Sequence, residues 1–499
     1  MRTKSILVLV ISCIVCCSLS ISGQQAKSFK RGLAYNIPYV EDLPTLGKGI
    51  SWFYNWGFTP GMFVASVFDL YMEYIPMCWN GVDTVQLKSF YSTHPNIRYI
   101  LGFNEPNFKA QGNLTPTQAA AKWPLIERMA RLYHLKIVGP ALNYAPSNGA
   151  VSENGVTYTD PIKYMDDFIK VCPTCQFDYI GVHNYMNSEL AVEGNIALYK
   201  KYKKPIWLTE FCEYDGTQTL TSDTQKDYMV QLLNYLENDT CIYRYSWFIG
   251  RNGGGDAAFP YNSLLTNNDR GVLTELGDIY IHMSSFDKNY YFSINDTIQA
   301  EKFSDSHLAS LRRMDATSGN LFLNGFYFKD WAAYQVNLQE AKTYTITFKI
   351  ACGDNTLLQI LDQAGNLLSS QDMSGTGGLT SWGYKSMTVN LPAGKQIIEL
   401  KSMGEACNVD WFSFAPINTA IQNVQSSRVF NLYPNPMGDV LNIDTQENTK
   451  DITIFDALGK VTYHGTNEKQ VNTKVYTRGM YIVQVTFNDG KKLSGKIMK

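Results

Sequence analysis

Residues 99–105, YILGFNE, decide the fold: an apolar run ends on a carboxylate, with Pro106 directly behind it. Glutamate is poor strand material and is costly to bury unpaired. Either Glu105 is a structural carboxylate with its own partners, or it is half of a catalytic pair. In the second case another acid must end another such run. The stretch PIWLTEF, residues 205–211, supplies one in Glu210.

Working outward, similar short apolar runs recur between residues 30 and 285. They are RGLAYN (31–36), ISWFYNWG (50–57), EYIPMCW (73–79), YILGFNE (99–105), KIVGPAL (136–142), FDYIGVHNY (177–185), PIWLTEF (205–211) and IYRYSWF (242–248). Between them lie stretches with helical apolar spacing, such as TPTQAAAKWPLIERMARLYH (115–134) and TQKDYMVQLLNYLEN (224–238). Strand–helix alternation implies parallel strands with crossover helices. Eight near-continuous apolar strands in this length fit a (β/α)₈ TIM barrel of the α/β class. A doubly wound sheet is the alternative, but no Gly-rich phosphate turn follows any strand.

After about residue 290 the pattern changes. Segments such as AAYQVNL, TYTITFKI and VDWFSF alternate apolar and polar residues between DNT, DQAGN, SGTGG and PAG turns. This predicts a β-sandwich over 292–416. A polar linker, 417–427, and a small C-terminal β-sandwich, 428–499, follow.

The N-terminus, MRTKSILVLVISCIVCCSLSISGQQ, reads as a signal peptide over residues 1–23. A membrane anchor or a lipoprotein site at Cys13, Cys16 or Cys17 is the weaker reading. No later stretch is apolar enough to cross a bilayer, so a secreted chain without a transmembrane anchor is expected, acting as a monomer. The formal net charge of −2 gives no basic footprint for nucleic acid. Of ten cysteines, three fall in the leader. The odd number left leaves at least one thiol free. Cys172 and Cys175, in CPTC, form a local disulfide or remain two buried thiols; a zinc or redox half-site lacks its second half.

In the barrel reading Glu105 and Glu210 end the fourth and seventh strands on the C-terminal rim, where such folds place their sites. Glycoside hydrolysis uses two carboxyl groups on opposite sides of the anomeric carbon. Asn104 is placed to bond a sugar 2-hydroxyl. His183 and Tyr185 leave the sixth strand, close to Glu210, and either holds that carboxylate or contacts sugar. Trp52, Tyr54, Trp56, Trp79 and Trp247 are the candidate stacking platforms.

The ordered set SWFYNWG, LGFNEPN, VGPAL, FDYIGVHNY, WLTEF and RYSWF resembles glycoside hydrolase family 128 over about residues 30–255. The resemblance implies a retaining β-1,3-glucanase, with Glu105 as acid/base, Glu210 as nucleophile and no cofactor for catalysis. A related barrel hydrolase acting on another β-glycan, or a non-catalytic glucan-binding surface protein, stays open. IQAEKF (298–303), TGGLTSWG (376–383) and CNVDWFSF (407–414) resemble a family 6 carbohydrate-binding module. That implies sugar contacts by Trp382, Tyr327 and Asn408, and a structural calcium with Gln299, Glu301 and Asp410 as ligands. YPNP (433–436), IFDALGK and GMYIVQV resemble the C-terminal sorting domain of type IX secretion. That implies a Gram-negative exporter whose secretion machinery is a partner alongside the glucan.

Overall fold

The computed structural model describes residues 25–214, 220–252, 259–315, 320–417, 430–445 and 448–499. The expected signal peptide, and the expected linker apart from Ile417, lie outside the described residues.

The first half alternates strands and helices: β1 (Arg31–Ala34), β2 (Trp52–Tyr54), β3 (Glu73–Tyr74), α1 (Thr84–Thr93), β4 (Tyr99–Leu101), α2 (Pro116–Tyr133), β5 (Lys136–Val138), α3 (Pro161–Val171), β6 (Ile180–Asn184), α4 (Glu189–Tyr199), β7 (Ile206–Phe211), α5 (Ser222–Asn238), β8 (Ile242–Trp247) and α6 (Glu275–His282). β6 and β7 are buried at every position, which is why they read as unbroken apolar runs. Helix starts follow local chemistry. Thr115 and Gln118 form a capping box ahead of α2, with Pro116 in its first turn.

The strands run parallel in two sheets, one ordered β3-β2-β1-β8-β7-β6 and the other pairing β4 with β5. The expected barrel thus does not show as one closed ladder. Isolated parallel bridges, Met77↔Leu101, Val138↔Tyr179 and Leu142↔Val182, lie between the two sheets. Between the lower strand ends, the Arg244 guanidinium is stacked near the rings of Tyr99, Trp207 and Trp52, at 4.8, 5.1 and 5.7 Å, and is paired with Glu73 at 2.6 Å.

Residues 292–416 form the expected sandwich. Its strands include β9 (Thr297–Gln299), β10 (Leu311–Arg313), β11 (Leu321–Phe326), β12 (Trp331–Leu338), β13 (Lys342–Cys352), β14 (Thr356–Asp362), β15 (Leu367–Met373), β16 (Gly383–Leu391), β17 (Gly394–Ser402) and β18 (Cys407–Pro416). One sheet holds β12-β17-β14-β15; the other runs β10-β11-β18-β13-β16, with β9 beside β18. The sandwich packs on the first half as a single compact unit that ends at Ile417. Charged groups join them: Arg312 reaches Asp227 on α5 at 2.8 Å, and Arg313 reaches Asp278 on α6 at 2.7 Å.

The second unit, residues 418–499, has its own small core of Leu441, Ile443, Ile452, Ile454, Val483 and Val485 between a three-stranded and a four-stranded sheet.

Candidate active site

β4 ends at Leu101, and the chain reaches Glu105 through a tight turn in which Glu105 takes φ 38°, a left-handed value for a non-glycine residue. Its N–H bonds the Ala141 carbonyl at 2.8 Å, and the Phe108 N–H bonds back to the Glu105 carbonyl at 2.9 Å. Pro106 brings no N–H and so ends the ladder. Glu210 arrives on the fifth residue of β7, opposite His183 on β6.

The two carboxylates meet across His183. Nδ1 of His183 lies 3.0 Å from Glu105 Oε1 and 3.3 Å from Glu210 Oε2. One oxygen of each glutamate and a ring nitrogen of His183 all lie within 4.8 Å of one another. All three side chains are buried, with Glu105 7%, Glu210 5% and His183 1% exposed. Asn143 donates to Glu105 Oε1 at 3.2 Å. Glu210 is more heavily held. Tyr54 and Trp56 donate to Oε1 at 2.9 and 2.7 Å, and Tyr185 donates to Oε2 at 2.6 Å.

Burial pushes the Glu210 carboxyl above its ordinary value; His183 draws it down and the Glu105 charge pushes it up again. Burial alone would lower His183, but the two carboxylates hold its imidazolium above the ordinary histidine value. Burial first, and the Glu210 charge second, keep Tyr54 and Tyr185 protonated as donors. Glu105, His183 and Glu210 match a divalent-metal set by residue type and spacing. Yet Nδ1 is committed between the carboxylates, and buried Nε2 has no acceptor among the described residues to fix the tautomer a metal needs. The trio suits sharing of protons.

Above the trio opens a cavity of about 690 Å³, lined by Trp56, Trp79, Asn104, Tyr144, Phe248 and Phe259 among others. Asn104 donates to Gln111 at 3.3 Å, while its buried Oδ1 has no partner among the described residues, as suits a group awaiting a hydroxyl.

Three expected platforms are corrected. Trp52 is wholly buried, its Nε1 donates to the Lys30 carbonyl ahead of β1, and its ring packs on Trp207 at 4.9 Å. It sits at the start of its strand, away from the rim. Trp247 is also wholly buried, donating to Asn262 and packing against Phe211. The next residue, Phe248, reaches the cavity instead. Tyr54, likewise expected as a platform, is wholly buried and gives its hydroxyl to Glu210, whereas Asn143 and Phe248 escaped the sequence reading. Asn143, one residue past the KIVGPAL run, carries the same strand-end signal that revealed Glu105.

In the sandwich, Trp382 meets Phe322 edge-on at 5.4 Å, with the Lys349 amine 5.6 Å from its ring centre. Tyr384, 69% exposed, pairs with Trp411 at 5.9 Å. Tyr327 is exposed on its loop. Asn408 differs from expectation. Its amide is spent inside the domain, accepting from the Gly325 N–H and donating to the Leu379 carbonyl, both at 2.7 Å. It ties two loops together. Of the expected cation ligands, Asp410 is paired with Lys349 at 2.7 Å, whereas Glu301 keeps one buried oxygen with no partner among the described residues. Such an oxygen fits a hard cation; Gln299 lies beside Trp411 in the β9–β18 register.

Residues 32–280 match the family described as glycosyl hydrolase catalytic core. A family 128 (subgroup II) endo-β-1,3-glucanase from Sorangium cellulosum is 36% identical, covering 50% of this chain and 97% of that one, with a TM-score of 0.43. The catalytic part of this chain belongs to glycoside hydrolase family 128. The corresponding family 128 enzyme from Pseudomonas viridiflava is 34% identical over 51% of this chain and 98% of its own, with a TM-score of 0.45. Alkali-sensitive linkage protein 1 of Schizosaccharomyces pombe is 30% identical over 274 residues; the chain spans 45% of that relative's length.

Beyond the family 128 part, residues 299–416 match a carbohydrate binding module of family 6, and residues 431–499 match a secretion system C-terminal sorting domain. The sorting domain directs the chain to the cell exterior or surface. No helix among the described residues is long and apolar enough to cross a membrane.

Proposed function

We propose that the chain is an exported, retaining β-1,3-glucanase that cuts within glucans of the laminarin or curdlan type, while its family 6 module holds the polymer. The observation that carries this reading is the closeness of Glu105 and Glu210, with oxygens within 4.8 Å across His183 at the floor of an aromatic-lined cavity. Retaining pairs stand about 5–5.5 Å apart and inverting pairs about 6.5–9.5 Å. The β-1,3 linkage is supported by the activity named for the Sorangium and Pseudomonas enzymes.

In this reading the two parallel sheets are arcs of one eight-stranded barrel, supported by the bridges from Met77 to Leu101 and from Val138 to Tyr179. Asn143 and His183 both contact Oε1 of Glu105, which leaves Oε2 to carry the acidic proton. Glu105 protonates the glycosidic oxygen as Glu210 attacks the anomeric carbon. The glycosyl ester then forms, and Glu105, now ionised, takes a proton from the water that releases it. The sorting domain hands the chain to a type IX exporter. A calcium ion bound by Glu301, with Gln299 and Asp410, would brace the module; the unpartnered Glu301 oxygen supports it, and calcium-dependent thermal stability tests it.

The test of activity incubates the mature chain with linear β-1,3-glucan, mixed-linkage glucan, cellulose and xylan. Products are resolved by size and their first-formed anomer read by NMR. The expected result is a spread of β-anomeric oligosaccharides from β-1,3-glucan. Glu210→Ala should abolish it, with azide restoring turnover as the α-glycosyl azide. Binding of β-1,3-glucan without any product would overturn the catalytic reading.

A further inference from the structure

Two cysteines of the module face each other at the root of its loops. Cys352 ends β13 and Cys407 begins β18, and they are direct partners in the antiparallel register. The N–H and C=O of Cys352 both turn away from β18. The N–H donates to the Thr376 hydroxyl at 2.8 Å, and the carbonyl accepts from the N–H groups of Thr376 and Gly378. The two cysteines therefore form a non-hydrogen-bonded pair, where facing Cα atoms stand about 4.5 Å apart and side chains come closest. That lies inside the range a disulfide spans. The thiols already touch. Contact with the Cys407 thiol holds the Cys352 thiol below its ordinary value.

We propose that Cys352 and Cys407 are a disulfide-forming pair that locks the root of the module's sugar-facing loops. Cys352 anchors the Thr376–Gly378 turn, which leads to Trp382. The Cys407 sulfur rests on the Phe326 carbonyl, next to Tyr327. The Cys172–Cys175 bond is already present in this exported chain, so its route supports such chemistry. In the step, a Cys thiolate attacks the disulfide of a thiol oxidant, such as oxidised glutathione, and expels one thiol. The second Cys thiolate then attacks the mixed disulfide and expels the other. One S–S bond forms, two protons leave the cysteines, and the oxidant takes two electrons. Both cysteines are wholly buried, so the oxidant must meet them before the sandwich closes.

The test unfolds the mature full chain in denaturant with reductant, then refolds it in an oxidised/reduced glutathione buffer. Free thiols are alkylated in denaturant and the digest is mapped by mass. The expected result joins the Cys352 and Cys407 peptides, leaving Cys78, Cys212 and Cys241 alkylated. Alkylation of both Cys352 and Cys407, or a link from either to another cysteine, overturns the proposal. A second readout uses the double variant Cys352→Ser/Cys407→Ser. Closing a loop of about 55 residues predicts that reductant lowers the module's unfolding midpoint by on the order of 5–10 °C in the refolded wild type. The double variant should lack that fall, and an equal fall in both proteins refutes the lock. Loss of glucan binding on reduction would further rest on the proposed function, whereas the peptide map does not.

Discussion

Removing the Tyr185 hydroxyl isolates what holds Glu210, the proposed nucleophile. Its oxygen donates to Glu210 Oε2 at 2.6 Å, a short bond to a carboxylate whose value burial has already raised. In Tyr185→Phe the ring keeps its packing against Phe248 and Phe259, at 5.7 and 5.1 Å, so only the bond is lost. A hydrogen bond to a charged group contributes about 1.5–3 kcal/mol, which is roughly one to two pK units. Tyr185 draws the Glu210 value down, so its loss moves that value further up. Glu210 must be ionised to attack, and activity falls as pH drops through its value. The acid limb of the kcat/KM profile should therefore move up by about one to two units. The two chemical steps should respond differently. In the proposed double displacement Glu210 gives up its charge when the glycosyl ester forms and recovers it when water breaks the ester. A donor on its oxygens thus helps it leave, and its loss slows deglycosylation by about 10–100-fold. With an aryl β-1,3-oligoglucoside carrying a good leaving group, stopped-flow traces should show a burst followed by a slow steady state, with a lowered KM. An unmoved acid limb and no burst would refute the claim that Tyr185 holds Glu210.

Asn143→Ala removes a donor from the acid/base, and kcat/KM should fall about tenfold on natural glucan. Aryl substrates that leave without a proton should be nearly spared. Trp382→Ala should weaken retention on insoluble β-1,3-glucan by roughly tenfold, measured by pull-down, and leave turnover of short oligosaccharides unchanged. Arg312→Ala strips Asp227 of its guanidinium at the seam between the module and α5. The unfolding midpoint should drop by a few degrees in calorimetry, on the order of 1–2 kcal/mol, with activity on oligosaccharides kept.

The parallel strands and the two glutamates were legible because the strands are mostly buried on both faces, which leaves a strand-end acid exposed as an anomaly. Tyr54 was expected to stack on sugar because an aromatic in a strand shows its ring in the sequence and not the direction of its hydroxyl, which turns to Glu210. Trp247 and Phe248 show the limit of pattern reading. Adjacent residues at a strand end face opposite ways, so one step of register decides which ring meets the cavity. Trp52 misled because the run ISWFYNWG is longer than the strand it contains, which covers Trp52–Tyr54 alone. Asn408 fits its sequence landmark, but no spacing rule shows that its amide closes on Gly325 and Leu379.

Several unfavourable features of the first half lie on the rim of the site. Trp56 and Glu105 take φ of 62° and 38°, values that cost a non-glycine residue energy, and both lie in the cavity wall. Buried Asn104 Oδ1, His183 Nε2 and both amide atoms of Asn184 find no partner among the described residues, and all three residues stand at the ends of β4 and β6. A core selected for stability alone would pair or replace such groups. Two buried carboxylates are separated by one imidazole: the Glu105 charge raises the cost of ionising Glu210, and His183 offsets part of it. That arrangement is poor for folding, yet the proposed reaction needs one carboxyl to give a proton while its neighbour stays ionised. Those are the two states a double displacement must exchange. If so, removing the charge conflict should stabilise the fold as it removes activity. Glu105→Gln should unfold no earlier than the wild type at neutral pH while turning over natural glucan far more slowly. A variant that lost stability and kept its rate would show that the rim is built for packing.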